Sequence, residues 1–99
     1  MPPKRPKTEI ENVLQPGKTY RVDAEKYAAA KAAYLKALPA GPPGLTAAEI
    51  MVGMVAQLPE ALFPGGEKAG WWAKAVQLDL EAKSVVQRTK TTPLRLHRA

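Results

Sequence analysis

Residues 45–98 decide the fold of this chain: LTAAEIMVGMVAQLPEALFPGGEKAGWWAKAVQLDLEAKSVVQRTKTTPLRLHR. Thr46 and Glu49 are three positions apart, as a capping box requires, so they predict the start of a helix that Pro59 ends near Leu58. A bend follows at Pro64–Gly66. The remaining residues predict a helix over about 67–83 and two strand-like runs over 85–89 and 93–98. The predicted order is therefore helix, bend, helix, hairpin.

The residues before this stretch predict one more helix and a short N-terminal extension. Asp23 is a good N-cap, and the alanine-rich residues 24–38 have high helix propensity. Tyr20 and Val22 alternate with polar neighbours, which indicates a short extended piece on the domain. We expect residues 1–8 to be a disordered basic tail, because they hold three prolines and three cations. Residues 9–99 are then a single domain.

Apolar residues at helical spacing predict the core. Trp72, Val76 and Leu80 form one stripe of the third helix, and we expect it to pack against Tyr27, Tyr34, Ile50 and Met54. Trp71 is adjacent in sequence and points about 100° away from Trp72, so it lies at the flank of that stripe. The spacing leaves open whether Trp71 is buried or exposed.

Positive charge is concentrated at the two ends of the sequence. The net charge of the 99 residues is +6, with +3 before Thr8, +5 after Ala82 and −2 between them. Clustered positive charge attracts polyanions. The alternative is that basic ends only keep a small protein soluble.

Composition also bears on compartment and chemistry. The chain has no cysteine, no apolar run long enough for a membrane span and no signal-peptide pattern near Met1, so we expect a cytoplasmic protein without membrane contact. A catalytic triad would have to use the only serine, Ser84, and the only histidine, His97, which lie in or beside one predicted hairpin. We expect His97 to be a surface residue. Carboxylates are the only plentiful metal ligands, so the sequence predicts no enzyme, no cofactor and no metal site.

The order of elements resembles winged helix-turn-helix domains, including those that precede nuclease domains in bacterial restriction enzymes. This resemblance covers about residues 24–98. The fold that it implies is mainly α with a small β-hairpin: a three-helix winged helix-turn-helix-like domain with a short N-terminal extension. Many such domains carry glycine between the third helix and the wing, where this chain has Ser84.

Nearly the whole chain resembles a small bacterial family of uncharacterised proteins, which implies no activity. The matching pieces are Pro16-Gly17-Lys18, Arg21-Val22-Asp23, Leu62-Phe63-Pro64-Gly65-Gly66, Gly70-Trp71-Trp72, Val76 through Lys83, and Pro93-Leu94-Arg95.

The winged-helix resemblance and the basic ends together predict DNA binding with low sequence specificity. In DNA-binding relatives the third helix is the reading element, yet here it has no arginine and places Asp79 and Glu81 among its polar residues. We therefore expect the wing and tails to supply most of the affinity through phosphate contacts. The predicted nucleic-acid contacts are Lys74, Gln77, Lys83, Arg88, Lys90, Arg95 and Arg98.

The alternative function is a protein-protein interaction module on the same scaffold. In that case the docking surface would be formed by Leu62, Phe63 and the flank at Trp71. Binding to a random duplex across a salt series separates the two hypotheses, since phosphate contacts weaken steeply with salt.

Overall fold

A computed structural model describes residues 6–99, which form three helices and two small antiparallel sheets. The helices are α1 (Ala24–Ala37), α2 (Ala47–Val55) and α3 (Ala69–Ala82). The strands are β1 (Lys7–Glu11), β2 (Thr19–Asp23), β3 (Leu45–Thr46), β4 (Val86–Thr89) and β5 (Arg95–Arg98). The three predicted helices are confirmed. The prediction of a single small hairpin was wrong, because the described residues contain five strands.

Side chains at the helix starts act as the sequence predicts. The Asp23 carboxylate accepts a hydrogen bond from the Lys26 amide at 2.9 Å. Thr46 and Glu49 form a complete capping box: the Thr46 hydroxyl accepts from the Glu49 amide, and Glu49 Oε1 accepts from the Thr46 amide. The end of α2 was predicted too late, since the helix stops at Val55 and turns lead from there to Pro59.

An N-terminal hairpin, β1 paired with β2, was not predicted. Its register places Ile10 opposite Tyr20, and Ile10 is buried while the residues on either side of it are exposed. Strand β1 thus includes Lys7 and Thr8, which the sequence assigned to the basic tail. Residues 1–5 of the predicted basic tail lie outside the described part of the chain.

The second sheet has the strand order β3-β5-β4. The hairpin of β4 and β5 was predicted, whereas β3 was missed because it is only two residues long. Leu45 pairs with Leu96 in the central strand. This pairing joins the C-terminal hairpin to the segment that leads into α2.

The core lies between the three helices and the β3-β5-β4 sheet. As predicted, Trp72, Val76 and Leu80 of α3 are buried in one cluster, and the rest of that cluster includes Tyr34, Ile50 and Met54, with Tyr27 packed against it at its edge. Phe63 joins the cluster from the loop before α3, and Leu96 joins it from β5. No helix within residues 6–99 is long and apolar enough to cross a membrane.

Candidate nucleic-acid interface

The solvent-facing part of α3 is its N-terminal half. Gly70, Trp71 and Lys74 are exposed, whereas the five residues 76–80 are all buried. The bend before α3 depends on glycine, since Gly65 and Gly66 have φ angles of 64° and 75°. The bend and the first turn of α3 therefore present a short exposed segment of backbone, one tryptophan and one lysine.

The two adjacent tryptophans have different environments. Trp72 lies in the core, and the side chain of Trp71 is 54% exposed. Their rings meet edge to face, with centroids 5.0 Å apart. Because Trp72 is held by the core, this contact favours the observed position of the exposed Trp71 ring.

A groove between α3 and the N-terminal hairpin, called here the hairpin groove, is lined by the exposed rings of Trp71 and Tyr20. Its volume is about 200 Å³. The buried residues Ile10 and Leu78 contribute to its lining, and Lys74 lies at its edge. Tyr20 was predicted only as part of an extended segment, so its place beside Trp71 follows from the β1–β2 pairing.

A second groove, the helix groove, separates α3 from the N-terminal half of α2. Ala47, Ala48 and Met51 line one side, and Gly70, Ala73 and Lys74 line the other. Lys74 borders both grooves and therefore stands on the ridge between them. Tyr34 also lines the helix groove, and burial, followed by the negative charge of Glu81, raises the pKa of its hydroxyl.

Asp79 was placed among the exposed polar residues of α3, and this was wrong. Its side chain is 0% exposed and accepts hydrogen bonds from the Glu11 amide at 2.9 Å, from the Tyr27 hydroxyl and from Lys83 Nζ at 3.0 Å. Burial, followed by the hydrogen bond to Asp79, raises the pKa of Tyr27. Asp79 thus joins β1 and α1 to α3 and does not face solvent.

Glu81, the other acid of α3, is also withdrawn from the surface. Its side chain is 5% exposed and pairs with the Arg88 guanidinium in β4. The Gln77 amide donates to Glu81 at 3.2 Å, and Gln77 is buried. The hydrogen bond to Glu81 raises the pKa of Arg88. Gln77 was predicted to contact DNA, but it is not available at the surface.

Most cations of the C-terminal hairpin have partners inside the domain. Lys83 pairs with Asp79 at 2.8 Å, Arg95 donates to the Gly44 carbonyl at 3.0 Å, and Arg98 donates to the Leu35 carbonyl. Lys90, at the start of the exposed connection between β4 and β5, has no ion pair among the described residues. Of the predicted wing contacts, Lys90 is therefore the one that the fold leaves unengaged.

The predicted docking residues do not come together as one exposed surface. Phe63 is 2% exposed and packs edge to face on Trp72, with ring centroids 5.9 Å apart. Leu62 is partly buried against the same core. The loop at Leu62–Phe63 lies over Trp72 and covers the core. Of the three predicted docking residues, only Trp71 is exposed.

His97 was expected at the surface and is instead buried, with Nδ1 donating to the Arg98 carbonyl at 2.7 Å. Ser84 lies between α3 and β4, and His97 pairs with Gln87 near that same end of the hairpin. Among the described residues, no three His, Asp or Glu side chains are grouped as metal ligands.

Comparison with known proteins identifies one family. The profile of a family of unknown function, DUF6958, matches residues 7–96, from the first residue of β1 to the second residue of β5. Neither the search of curated proteins nor that of solved structures gives a significant match. The resemblance to an uncharacterised family is thereby confirmed.

Proposed function

We propose that this chain, which belongs to the family of unknown function DUF6958, is a small non-enzymatic protein that binds DNA with low sequence specificity. One observation carries the proposal: both acids of α3 are buried and ion-paired, whereas Lys74 stands exposed between two grooves. The acids at Asp79 and Glu81 were the main sequence argument against phosphate contact by this helix. Their burial removes that argument.

The element order supports a winged-helix scaffold for this function. Two helices, α2 and α3, are joined by a glycine bend and followed by the β4–β5 hairpin, as in the domains that the sequence resembles. Pairing of β3 with β5 anchors this hairpin beside the start of α2. In helix-turn-helix proteins the N-terminal residues of the reading helix contact DNA, and this is the half of α3 that is exposed here.

The residues that we propose as phosphate contacts are not the same as those predicted from the sequence. Lys68, Lys74 and Lys90 are exposed cations at the α3 N-cap, on the α3 ridge and in the wing connection. We assign the phosphate contacts to them. Lys83 and Arg88 are ion-paired with Asp79 and Glu81. Arg95 and Arg98 donate to backbone carbonyls and add mainly to the long-range positive field. Cytoplasm is the compartment that we propose, because DNA would be met there.

Binding to an unrelated 20-base-pair duplex across a salt series tests the proposal. Three phosphate contacts give a plot of log affinity against log salt with a slope of roughly −2 to −3, at about 0.9 per contact. Affinity should also differ little between unrelated sequences. Absence of binding at low salt would contradict the proposal.

A second candidate is a protein-interaction module, which the exposed Trp71 ring favours. The Trp71 ring is 54% exposed, and tryptophan is enriched among the residues that anchor protein interfaces. Binding of a protein partner at Trp71 would not require the charge of Lys90 and would not need to weaken with salt. Failure to bind DNA together with normal folding would make it the leading candidate.

A further inference from the structure

The hairpin groove carries two aromatic rings that the DNA-binding proposal does not use. Trp71 is 54% exposed and Tyr20 is 43% exposed, and both line the same groove. Trp71 makes an edge-to-face contact with the buried Trp72, and the Tyr20 hydroxyl donates to the Gln15 side chain. The groove therefore presents two flat aromatic surfaces to solvent.

The size of the hairpin groove limits its occupant. Its volume of about 200 Å³ is below the roughly 300–1,000 Å³ of pockets for drug-sized ligands. One planar ring system fits such a space. Asn12 lies at the same groove: its Oδ1 accepts from the Leu14 amide, and its NH₂ group can donate to a polar ring edge.

The charges around the groove favour an anionic ligand on one side. Lys74 follows Trp71 by three residues and lies one helical turn away on the same side of α3. Glu11 is the acid at the groove, on the β1 side. A ring seated on Trp71 would thus have a cation beside it, in a protein whose net charge is +6.

We infer that the hairpin groove binds an unpaired base of a single-stranded nucleic acid, with the adjoining phosphate at Lys74. Proteins that bind single strands combine aromatic rings for stacking with cations for the backbone, and Trp71, Tyr20 and Lys74 supply both. This inference rests on the proposed function and deepens it, because it names unpaired rather than fully paired strands as the preferred ligand. DNA and RNA share the chemistry.

The test separates stacking from charge by using two strands with the same number of phosphates. An eight-residue oligothymidylate and an abasic strand of equal length are titrated into the protein at low salt, with fluorescence anisotropy as the readout. Stacking is worth about 5- to 150-fold in affinity per base. We expect the parent to prefer the strand with bases by a factor in this range, and an eight-residue oligouridylate shows whether RNA is bound equally.

Trp71→Ala should reduce that preference to about twofold or less while leaving affinity for the abasic strand unchanged. Trp71→Phe keeps a ring and should retain most of the preference. Val52→Ala, which alters a valine exposed on α2, is the control and should bind both strands as the parent does. Glu11→Gln should strengthen binding of both strands, because it removes the acid at the groove.

Equal binding of both strands by the parent would overturn the inference, and so would an unchanged preference in Trp71→Ala. In either case, salt-dependent binding of the duplex would show that the proposed function stands without the groove. If the parent binds none of the strands and no duplex at low salt, both proposals fail together.

Discussion

Trp71 and Trp72 show how one residue type serves two purposes at adjacent positions. Helical geometry separates their directions by about 100°, so the core can hold only one of them. Trp72 lies among Phe63, Val76 and Leu80, and Trp71 rests against its edge. The sequence predicted the burial of Trp72 and left Trp71 open, because its environment depends on the N-terminal hairpin beside it.

Truncation of Trp72 should destabilise the domain strongly. Trp72→Ala removes a buried ring and its contact with Phe63, and we expect a loss of about 3–5 kcal/mol in the free energy of unfolding. This is a large part of the roughly 5–15 kcal/mol of a typical domain. Urea denaturation followed by circular dichroism measures it. A midpoint close to that of the parent would show that Trp72 is not part of the core.

Ser84 occupies the position after α3 where glycine is favoured. Its φ is 62°, its amide bonds to the Glu81 carbonyl, and the Val85 amide bonds to the Leu80 carbonyl, which together form a Schellman motif. The left-handed conformation costs a residue with a Cβ about 1–2 kcal/mol. Glycine loses roughly 0.5–1 kcal/mol more backbone entropy on folding.

Ser84→Gly should therefore stabilise the domain by about 0.5–1 kcal/mol, since the relief of strain exceeds the entropy cost. A thermal melt should show a rise of a few degrees. Ser84→Ala keeps the Cβ and is the control, for which we expect no rise. A lower melting temperature for the glycine variant would mean that the serine hydroxyl stabilises this turn.

Among the elements, the helices were predicted best and the strands least well. Asp23, Thr46 and Glu49 cap α1 and α2 through bonds within one turn, so sequence spacing suffices to find them. The β1–β2 hairpin was missed because its single buried residue, Ile10, gives no alternating apolar pattern. Strand β3 was missed because pairing with distant Leu96 forms it.

Gly44 controls the junction of β3 and β5. Its φ is +80°, and a Cβ there would lie 2.4 Å from the Leu96 carbonyl oxygen. Gly44→Ala should cost about 2–5 kcal/mol, through backbone strain and forced displacement of β5. Gly17→Ala, also at positive φ but with open space around it, is the control and should lose only the strain contribution. Equal melting temperatures for the two variants would contradict the close approach.

At the scale of the whole molecule, two buried acids determine which of the nearby cations are paired. Asp79 and Glu81 neutralise Lys83 and Arg88 inside the fold, and Lys74 and Lys90 remain at the surface. Sequence spacing placed both acids on a polar face and could not show this, because their partners lie in other elements. The predicted DNA contacts were therefore chosen by their position in the sequence. In the fold, some of these cations have partners inside the domain and others do not.

Asp79 should be the main link between the N-terminal hairpin and the helices. Asp79→Asn removes the charge that holds Lys83 and weakens the bonds from Tyr27 and Glu11, so we expect a loss of about 1.5–3 kcal/mol. Hydrogen exchange at the Glu11 amide should quicken more than exchange in α2. Glu67→Gln, at an exposed acid just before α3, should change stability by no more than about 0.5 kcal/mol. Unchanged exchange at Glu11 would contradict the linking role.

The most direct test of the account is the salt dependence of duplex binding by a pair of double variants. Lys74→Ala/Lys90→Ala removes two proposed phosphate contacts and should flatten the plot of log affinity against log salt by about 0.9 per contact. Lys18→Ala/Lys36→Ala removes the same charge at exposed sites in the β1–β2 turn and on α1, and its slope should match that of the parent. If both double variants change the slope equally, or neither changes it, the surface formed by α3 and the wing is not the DNA interface.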